Sequence, residues 1–323
     1  MIYKKKVIAL SGIIGVLAVV YALTFIFDPE RMGDQADRYV WLEPQQRDSI
    51  SKISIVNAGE SIDLVRNAGQ WFVAQEGRTF PAQQTRAEDL VNILTGRAPF
   101  PVRSSSAASH ERLSLGEDQA VAISVSGAAG QSLLELLVGQ TDVTGQNVYL
   151  RKRGQNEVRA GNTTLSEYAR SPLNSWFNLR LLPESEDGSL DVASVQRLIV
   201  QTGEGNEPYV FTRSGKGWTF ENIGIANPDM GKVDSYIRTI LNITADDFDM
   251  EADPGDPQFG DSSITLELGN RTSRAIRFGT PDESGRRMAT VSGSDLVYVL
   301  SSWASQRLFV EPSFFELPEE PAQ

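Results

Sequence analysis

The sequence predicts an α+β chain: an N-terminal transmembrane helix followed by two tandem copies of an antiparallel-sheet-plus-helix domain. Three observations predict it. An apolar run of membrane-spanning length opens the chain. A block of residues recurs farther along at one constant offset, and each copy combines strand signals with one amphipathic helix.

Lys4, Lys5 and Lys6 precede a predominantly apolar run from Val7 to Phe27, which ends at Asp28-Pro29. At ~1.5 Å per residue the run reaches about 31 Å, close to the ~30 Å hydrocarbon core of a bilayer. Its polar side chains are the hydroxyls of Ser11, Tyr21 and Thr24, so a single helix can satisfy its own backbone there. The flanking lysines predict a cytoplasmic N-terminus. A cleavable signal peptide is the alternative, with Val20-Tyr21-Ala22 as an acceptable cleavage triplet, although the apolar stretch continues through Leu23–Phe27.

The predicted organisation is a cytoplasmic tip and anchor over residues 1–28, a juxtamembrane stalk over 29–48, one repeat over 49–188, a second over 189–316, and a tail over 317–323. The repeat rests on pairs that coincide without a gap. Ile62 matches Tyr209, Leu64 Phe211, Arg66 Arg213, Trp71 Trp218, Gly77 Gly224 and Pro81 Pro228; Leu90, Ile93 and Leu94 then match Ile237, Ile240 and Leu241. Farther on the offset shrinks, as loop deletions would cause: Ile123-Ser-Val125 matches Ile264-Thr-Leu266, Val138-Gly139 matches Phe278-Gly279, and Leu165–Ala169 matches Leu300–Ala304.

Within each copy the elements follow in order. Ile62–Arg66 and Trp71–Gln75 flank Asn67-Ala-Gly-Gln70, a strand–turn–strand signal; Tyr209–Arg213 and Trp218–Asn222 flank Ser214-Gly-Lys-Gly217 likewise. A helix follows, with Val233, Tyr236, Ile237, Ile240 and Leu241 on one face in the second copy and Leu90, Ile93 and Leu94 in the first, where Gly96 provides a stop. Strands are expected at 120–126, 133–139, 148–153 and 157–160, answered by 263–268, 274–279, 287–291 and 296–300. Short helices at 164–170 and 301–306 close the copies. Short turns between strands favour antiparallel pairing.

Composition narrows the function classes. The 323 residues include no cysteine, which excludes disulfide scaffolds, thiolate metal sites and a thiol nucleophile. One histidine, His110, excludes multi-histidine metal sites, and a net charge of −12 argues against nucleic acid as partner.

No pattern carries a chemical signature. His110 follows Ser104-Ser-Ser-Ala-Ala-Ser109 and precedes Glu111, but a Ser/Ala-rich loop lacks the rigid elbow of a catalytic triad. Asp246, Asp247, Asp249, Glu251, Asp253, Asp256 and Asp261 form the best cation candidate. Counted from Asp247, a calcium loop would need Gly where Ala252 stands and Glu where Gln258 stands. Trp71, Trp176, Trp218, Trp303, Tyr149 and Tyr298 offer a sugar-stacking platform, although recurrence at repeat positions favours core anchors. Gly127-Ala-Ala-Gly130 and Gly203-Glu-Gly205 lack the strand–helix context and lysine of a phosphate loop. The expectation is therefore no catalytic, cofactor or metal site, and no cofactor.

The order of these parts resembles the bacterial family known as domain of unknown function 4340. The motifs are the Gly-x-Trp or Gly-Trp turn, the helix carrying Leu90, Ile93 and Leu94, the Gly-ended strands (Leu136-Leu-Val-Gly139 and Ile276-Arg-Phe-Gly279), and the Tyr/Val strands Val148-Tyr149-Leu150 and Val297-Tyr298-Val299. They cover most of residues 50–310 and are packing motifs. The link departs from the family pattern, with Leu113-Ser-Leu115-Gly116 where a Gly-Leu-x-x-Pro segment belongs. The resemblance implies an accessory protein beside an ABC-type transporter, with its permease, ATPase and a gliding-motility-type auxiliary subunit as partners.

Taken with the anchor, this predicts a non-enzymatic, single-pass protein of the bacterial inner membrane, held through residues 7–27, with the bulk of the chain periplasmic. Gly12, Gly15 and Ala18 would give the anchor a face for close helix contact. The rival reading is a membrane-tethered module that binds peptidoglycan or another envelope glycan. It requires exposed aromatics.

Overall fold

The computed structural model describes residues 38–183, 190–203, 205–215, 217–222, 224, 229–256 and 258–317. The chain divides into two compact units between Phe177 and Asn178. Residues just beyond the junction already bond within the second unit: Leu181 N–H donates to Ile243 O and Ala245 N–H to Leu179 O.

In the first unit, alternation of apolar and polar residues builds the sheet. Among the described residues β1 (Arg38–Tyr39) pairs only with β6 (Ala98–Pro99). The main sheet uses β2 (Ile50–Asn57), β3 (Glu60–Asn67), β4 (Gln70–Gln75), β5 (Arg78–Pro81), β7 (Val102–Ser104), β8 (Val121–Gly127), β9 (Ser132–Thr141), β10 (Asn147–Lys152) and β11 (Val158–Asn162). These nine strands lie in the order β5-β4-β3-β2-β8-β9-β10-β11-β7, every pair antiparallel. Leu64, Ile53, Val125 and Leu134 stand opposite one another across four strands and are buried on one face. The turns that set this register are Ala58-Gly59 and Ala68-Gly69, with both residues of each at positive φ, the conformation that suits the strand twist.

Helix α1 (Gln84–Thr95) covers that face through Ala87, Leu90, Val91 and Leu94; Val91, not the expected Ile93, completes the buried stripe. Gly96 ends α1 in extended backbone, not in the left-handed region. It must be small because a Cβ there would lie 2.6 Å from Asn92 O. α2 (Thr164–Ala169) closes the unit.

The opposite face carries a second, smaller core. Leu115 packs with Leu137 and Val158, roofed by the segment leading into β8. Arg151 is buried beside it and donates to Leu115 O at 2.9 Å and to Gln155 O at 3.1 Å.

The second unit contains β12 (Val195–Gln201), β13 (Tyr209–Ser214), β14 (Gly217–Glu221), β15 (Asp247–Asp249), β16 (Ser262–Leu268), β17 (Ser273–Phe278), β18 (Arg287–Val291) and β19 (Val297–Leu300). Their order is β14-β13-β12-β16-β17-β18-β19-β15, which follows the first sheet position by position from β4 to β7. α3 (Met230–Leu241) buries Val233, Tyr236, Ile237, Ile240 and Leu241, and α4 (Ser302–Leu308) adds Ala304 and Leu308. Asp229 caps α3 by accepting from the Gly231 and Lys232 N–H groups.

Two expectations require correction. The α+β class gives way to a fold made mostly of antiparallel strands in three sheets. Strands β2, β5, β7, β12 and β15 were not among those the sequence marked; adding them makes the sheets the framework and leaves the helices as short covers. Second, the transmembrane helix, and with it the single-pass inner-membrane placement, is not supported. Among the described residues no helix is long and apolar enough to cross a membrane; the longest, α1 and α3, have 12 residues each, about 18 Å. Residues 7–27, including Gly12, Gly15 and Ala18, lie outside the described residues, as do residues 29–37 of the expected stalk, and Pro228.

Candidate functional site

The residues singled out by chemistry do not converge. His110 sits between two short 3-10 turns with Nε2 3.1 Å from Asn156 O, while Ser109 Oγ donates to Ser106 O and lies 2.9 Å from Ser104 Oγ. Glu111 accepts from Gln119. Within the acidic stretch, Asp249, Asp253 and Asp256 each accept from backbone N–H groups two or three residues on, so their carboxylates shape local turns. Among the described residues no group of three or more His, Asp or Glu is placed to share a metal ion. Gly127–Gly130 is the β8–β9 turn, and Gly205, at positive φ, lies in the β12–β13 connection.

Five of the six proposed stacking aromatics are committed to packing. Trp71, Trp176, Trp218 and Tyr298 are buried and Tyr149 packs on the second core. Each buried strand tryptophan anchors a cluster. Trp71 Nε1–H donates to Glu88 on α1 at 2.7 Å, and Arg66 from β3 reaches the same carboxylate at 3.3 Å with its guanidinium over the indole. In the second unit Trp218 donates to Asp234 on α3 at 3.0 Å, and Arg213 lies over the ring, 4.0 Å from that carboxylate.

Arg47 completes the first cluster, 2.9 Å from Glu88. Burial opposes ionisation of Glu88, but the bonds from Trp71 and Arg47 and the charges of Arg66 and Arg47 outweigh it and hold the carboxyl below its ordinary range. The sequence repeat marks the arginines and tryptophans and misses Glu88, Asp234 and Arg47. The available signal was that a buried indole N–H needs an acceptor, and a carboxylate on the facing helix is the nearest supply.

The remaining aromatic, Trp303, is 65% exposed. It projects from α4 with Arg307, one turn on, stacked at 4.5 Å. The expected match of Tyr168 with Trp303 does not hold, because Leu300, paired with Leu165 in sequence, ends β19 while Leu165 lies within α2; the second residue of α2, Leu165, is buried where the second of α4, Trp303, is open. Met230, Phe314 and Leu317 are also exposed. They are held near the start of α3, where Asp229 N–H donates to Phe315 O and Lys232 Nζ donates to Glu316 O. The first unit exposes only valines among its large apolar side chains in the described residues: Val56, Val102 and Val143. An exposed tryptophan backed by arginine, with Phe314 and Leu317 open to water farther along the same C-terminal stretch, has the composition found at protein-docking surfaces.

Comparison with known proteins adds one match. A family model described as "Domain of unknown function (DUF4340)" matches residues 71–258. No curated protein and no solved structure matches.

Proposed function

Since this chain belongs to the DUF4340 family, we propose that it is a non-enzymatic accessory subunit that docks on an ABC-type transport complex through its second unit. The observation that carries the reading is the exposure of Trp303 on α4, where the second residue of the matching helix α2, Leu165, is buried. Exposed aromatic and arginine side chains supply most of the energy of protein interfaces. The choice of a transporter as partner comes from the family resemblance.

The glycan-binding alternative needs a platform of open aromatic faces. Trp71 and Trp218 lie inside their cores, which counts against it.

The test is co-purification of the tagged full-length chain from its native cells lysed in mild detergent, with bound proteins identified by mass spectrometry. The wild type should recover an ATP-binding subunit and a permease at stoichiometric levels. A Trp303→Ala/Phe314→Ala variant should recover roughly tenfold less, while melting at the same temperature, since loss of interface anchors costs more than about 1.4 kcal/mol. Failure of the wild type to recover a transporter, with retention on purified envelope glycan, overturns the proposal in favour of the alternative.

A further inference from the structure

Arginine lies over aromatic rings in several parts of this chain, and an oxygen commonly completes it. Arg66 stacks on Trp71 and reaches Glu88 at 3.3 Å, Arg213 stacks on Trp218 and donates to Val195 O at 2.8 Å, and Arg159 stacks on Tyr39 and reaches Glu157 at 2.6 Å. Two guanidiniums at α4 differ. Arg307 lies over Trp303 and Arg287 over Phe309, each 4.5 Å from the ring centroid, and among the described residues neither has an oxygen acceptor. The first unit shows the contrast at α2. There Arg170, which caps the helix, donates to Ser166 Oγ at 3.1 Å and to Gly139 O at 2.9 Å, and Arg86, stacked on Tyr168, donates to Ser171 Oγ.

These two guanidiniums flank one short helix that carries an open indole. Trp303, Gln306 and Arg307 are exposed along α4, whose other side buries Ala304, Ser305 and Leu308. Phe309 caps the same helix, and Arg287 comes to it from β18, where it stands opposite Leu300. Burial pushes the Arg287 guanidinium down, with no carboxylate among the described residues to offset it. A stacked guanidinium is held in place by its ring yet keeps its planar fork of donors, which suits a carboxylate. An apolar side chain next to that carboxylate would cover Trp303. An anionic bilayer fits less well. Glu283 is exposed in the β17–β18 turn, which meets Ser302 at Gly285, and Glu311 is exposed where the chain leaves the helix, so both would face the lipid headgroups.

We propose that this α4 surface binds an acidic peptide segment of a partner protein, whose carboxylates complete Arg287 and Arg307 and whose apolar side chain covers Trp303. The proposal rests on the reading of Trp303 as an interface anchor and names the chemistry of the partner at that surface.

The probe is the acetylated and amidated peptide Asp-Glu-Leu-Phe-Glu-Asp. It is titrated into the full chain in mild neutral detergent and followed by calorimetry and by iodide quenching of tryptophan fluorescence. Saturable binding that shields Trp303 from iodide is expected. The amide counterpart, Asn-Gln-Leu-Phe-Gln-Asn, should bind roughly tenfold more weakly, because it lacks charge-assisted hydrogen bonds. Arg307→Gln and Arg287→Gln should each weaken the acidic peptide by roughly the same factor. Arg274→Gln, which removes the same charge from another exposed arginine of the second unit, should leave binding unchanged. The proposal is overturned if the acidic peptide does not bind, if its amide counterpart binds as well, if neither Arg307→Gln nor Arg287→Gln weakens it, or if Arg274→Gln weakens it equally. It is overturned too if dihexanoylphosphatidylglycerol shields Trp303 as the peptide does, which would make the surface a lipid contact. Transporter recovery by a chain that binds no acidic peptide overturns this inference alone, whereas peptide binding without a transporter overturns only the choice of partner.

Discussion

Glu88 gathers three donors from three elements: the Trp71 indole, Arg47 and Arg66. Its carboxyl is held below the ordinary value of 4.5, so the folded unit binds that proton less readily than the unfolded chain. The stabilisation is therefore complete above about pH 4.5 and is lost as pH falls through the lower, folded value. Asp63 contributes in the same direction: burial opposes its ionisation, but Ser54 and Lys52 outweigh that. We expect Glu88→Gln to lower the urea midpoint at pH 7 and to lower it much less at pH 3. A variant with the same deficit at both pH values would remove Glu88 from the account of acid stability. Asp142 and Asp282 show a related device on the surface. Each carboxylate accepts from backbone N–H groups and a hydroxyl of its own hairpin turn, with Thr144 and Ser284 in matching places.

At the scale of elements, the Gly-ended strands acquire a physical reason. Gly139 follows the strand core of β9, where the loop bearing Leu113 and Leu115 crosses it. A Cβ there would stand 2.4 Å from Leu113 O and 2.9 Å from Leu115 Cγ. At Gly279, in the matching place, the nearest atoms lie 3.6 Å away, on Gln258 and Phe259. Gly139→Ala should therefore cost about 1–3 kcal/mol, as overpacking does, whereas Gly279→Ala should stay within about 0.5 kcal/mol. Denaturant melts of the two variants compare them directly, and equal losses would show that the loop yields. The recurrence of Val138-Gly139 as Phe278-Gly279 was legible from the residues alone. The loop that makes one of them indispensable was not, because Leu113 approaches from more than twenty positions away. β2 and β12 also escaped notice although each joins a hairpin to a meander. Ile50–Asn57 ends in Asn57-Ala-Gly59, the same turn signal as Asn67-Ala-Gly69, so β2 was legible from the residues; Val195–Gln201 is joined to β13 by a longer link that carries no such turn pair.

The whole molecule presents two sheets of matching strand order, with four of its five tryptophans buried: Trp41, Trp71, Trp176 and Trp218. This division is measurable. Iodide should quench only the fraction of fluorescence that belongs to Trp303, where the neighbouring Arg307 favours an anion. Trp303→Phe should abolish the quenchable fraction while leaving the emission of the buried rings unshifted. Persistent quenching in that variant would mean that a second tryptophan is open to water.

Periodicity and recurrence are local properties, and the sequence by itself determined what depends on them: the β3–β4 and β13–β14 hairpins, the buried stripe of α3, and the place of Trp71 and Trp218 as anchors. It also marked Arg66 and Arg213 as equivalents. Only the tertiary structure decided that they differ. Whether a guanidinium finds its acceptors depends on where the chain brings distant carbonyls, and Val192 and Val195 reach Arg213 while none reaches Arg66 Nε. The class of the fold was settled the same way, because a strand is stable only beside its neighbours and the number of strands in a sheet is a property of their pairing.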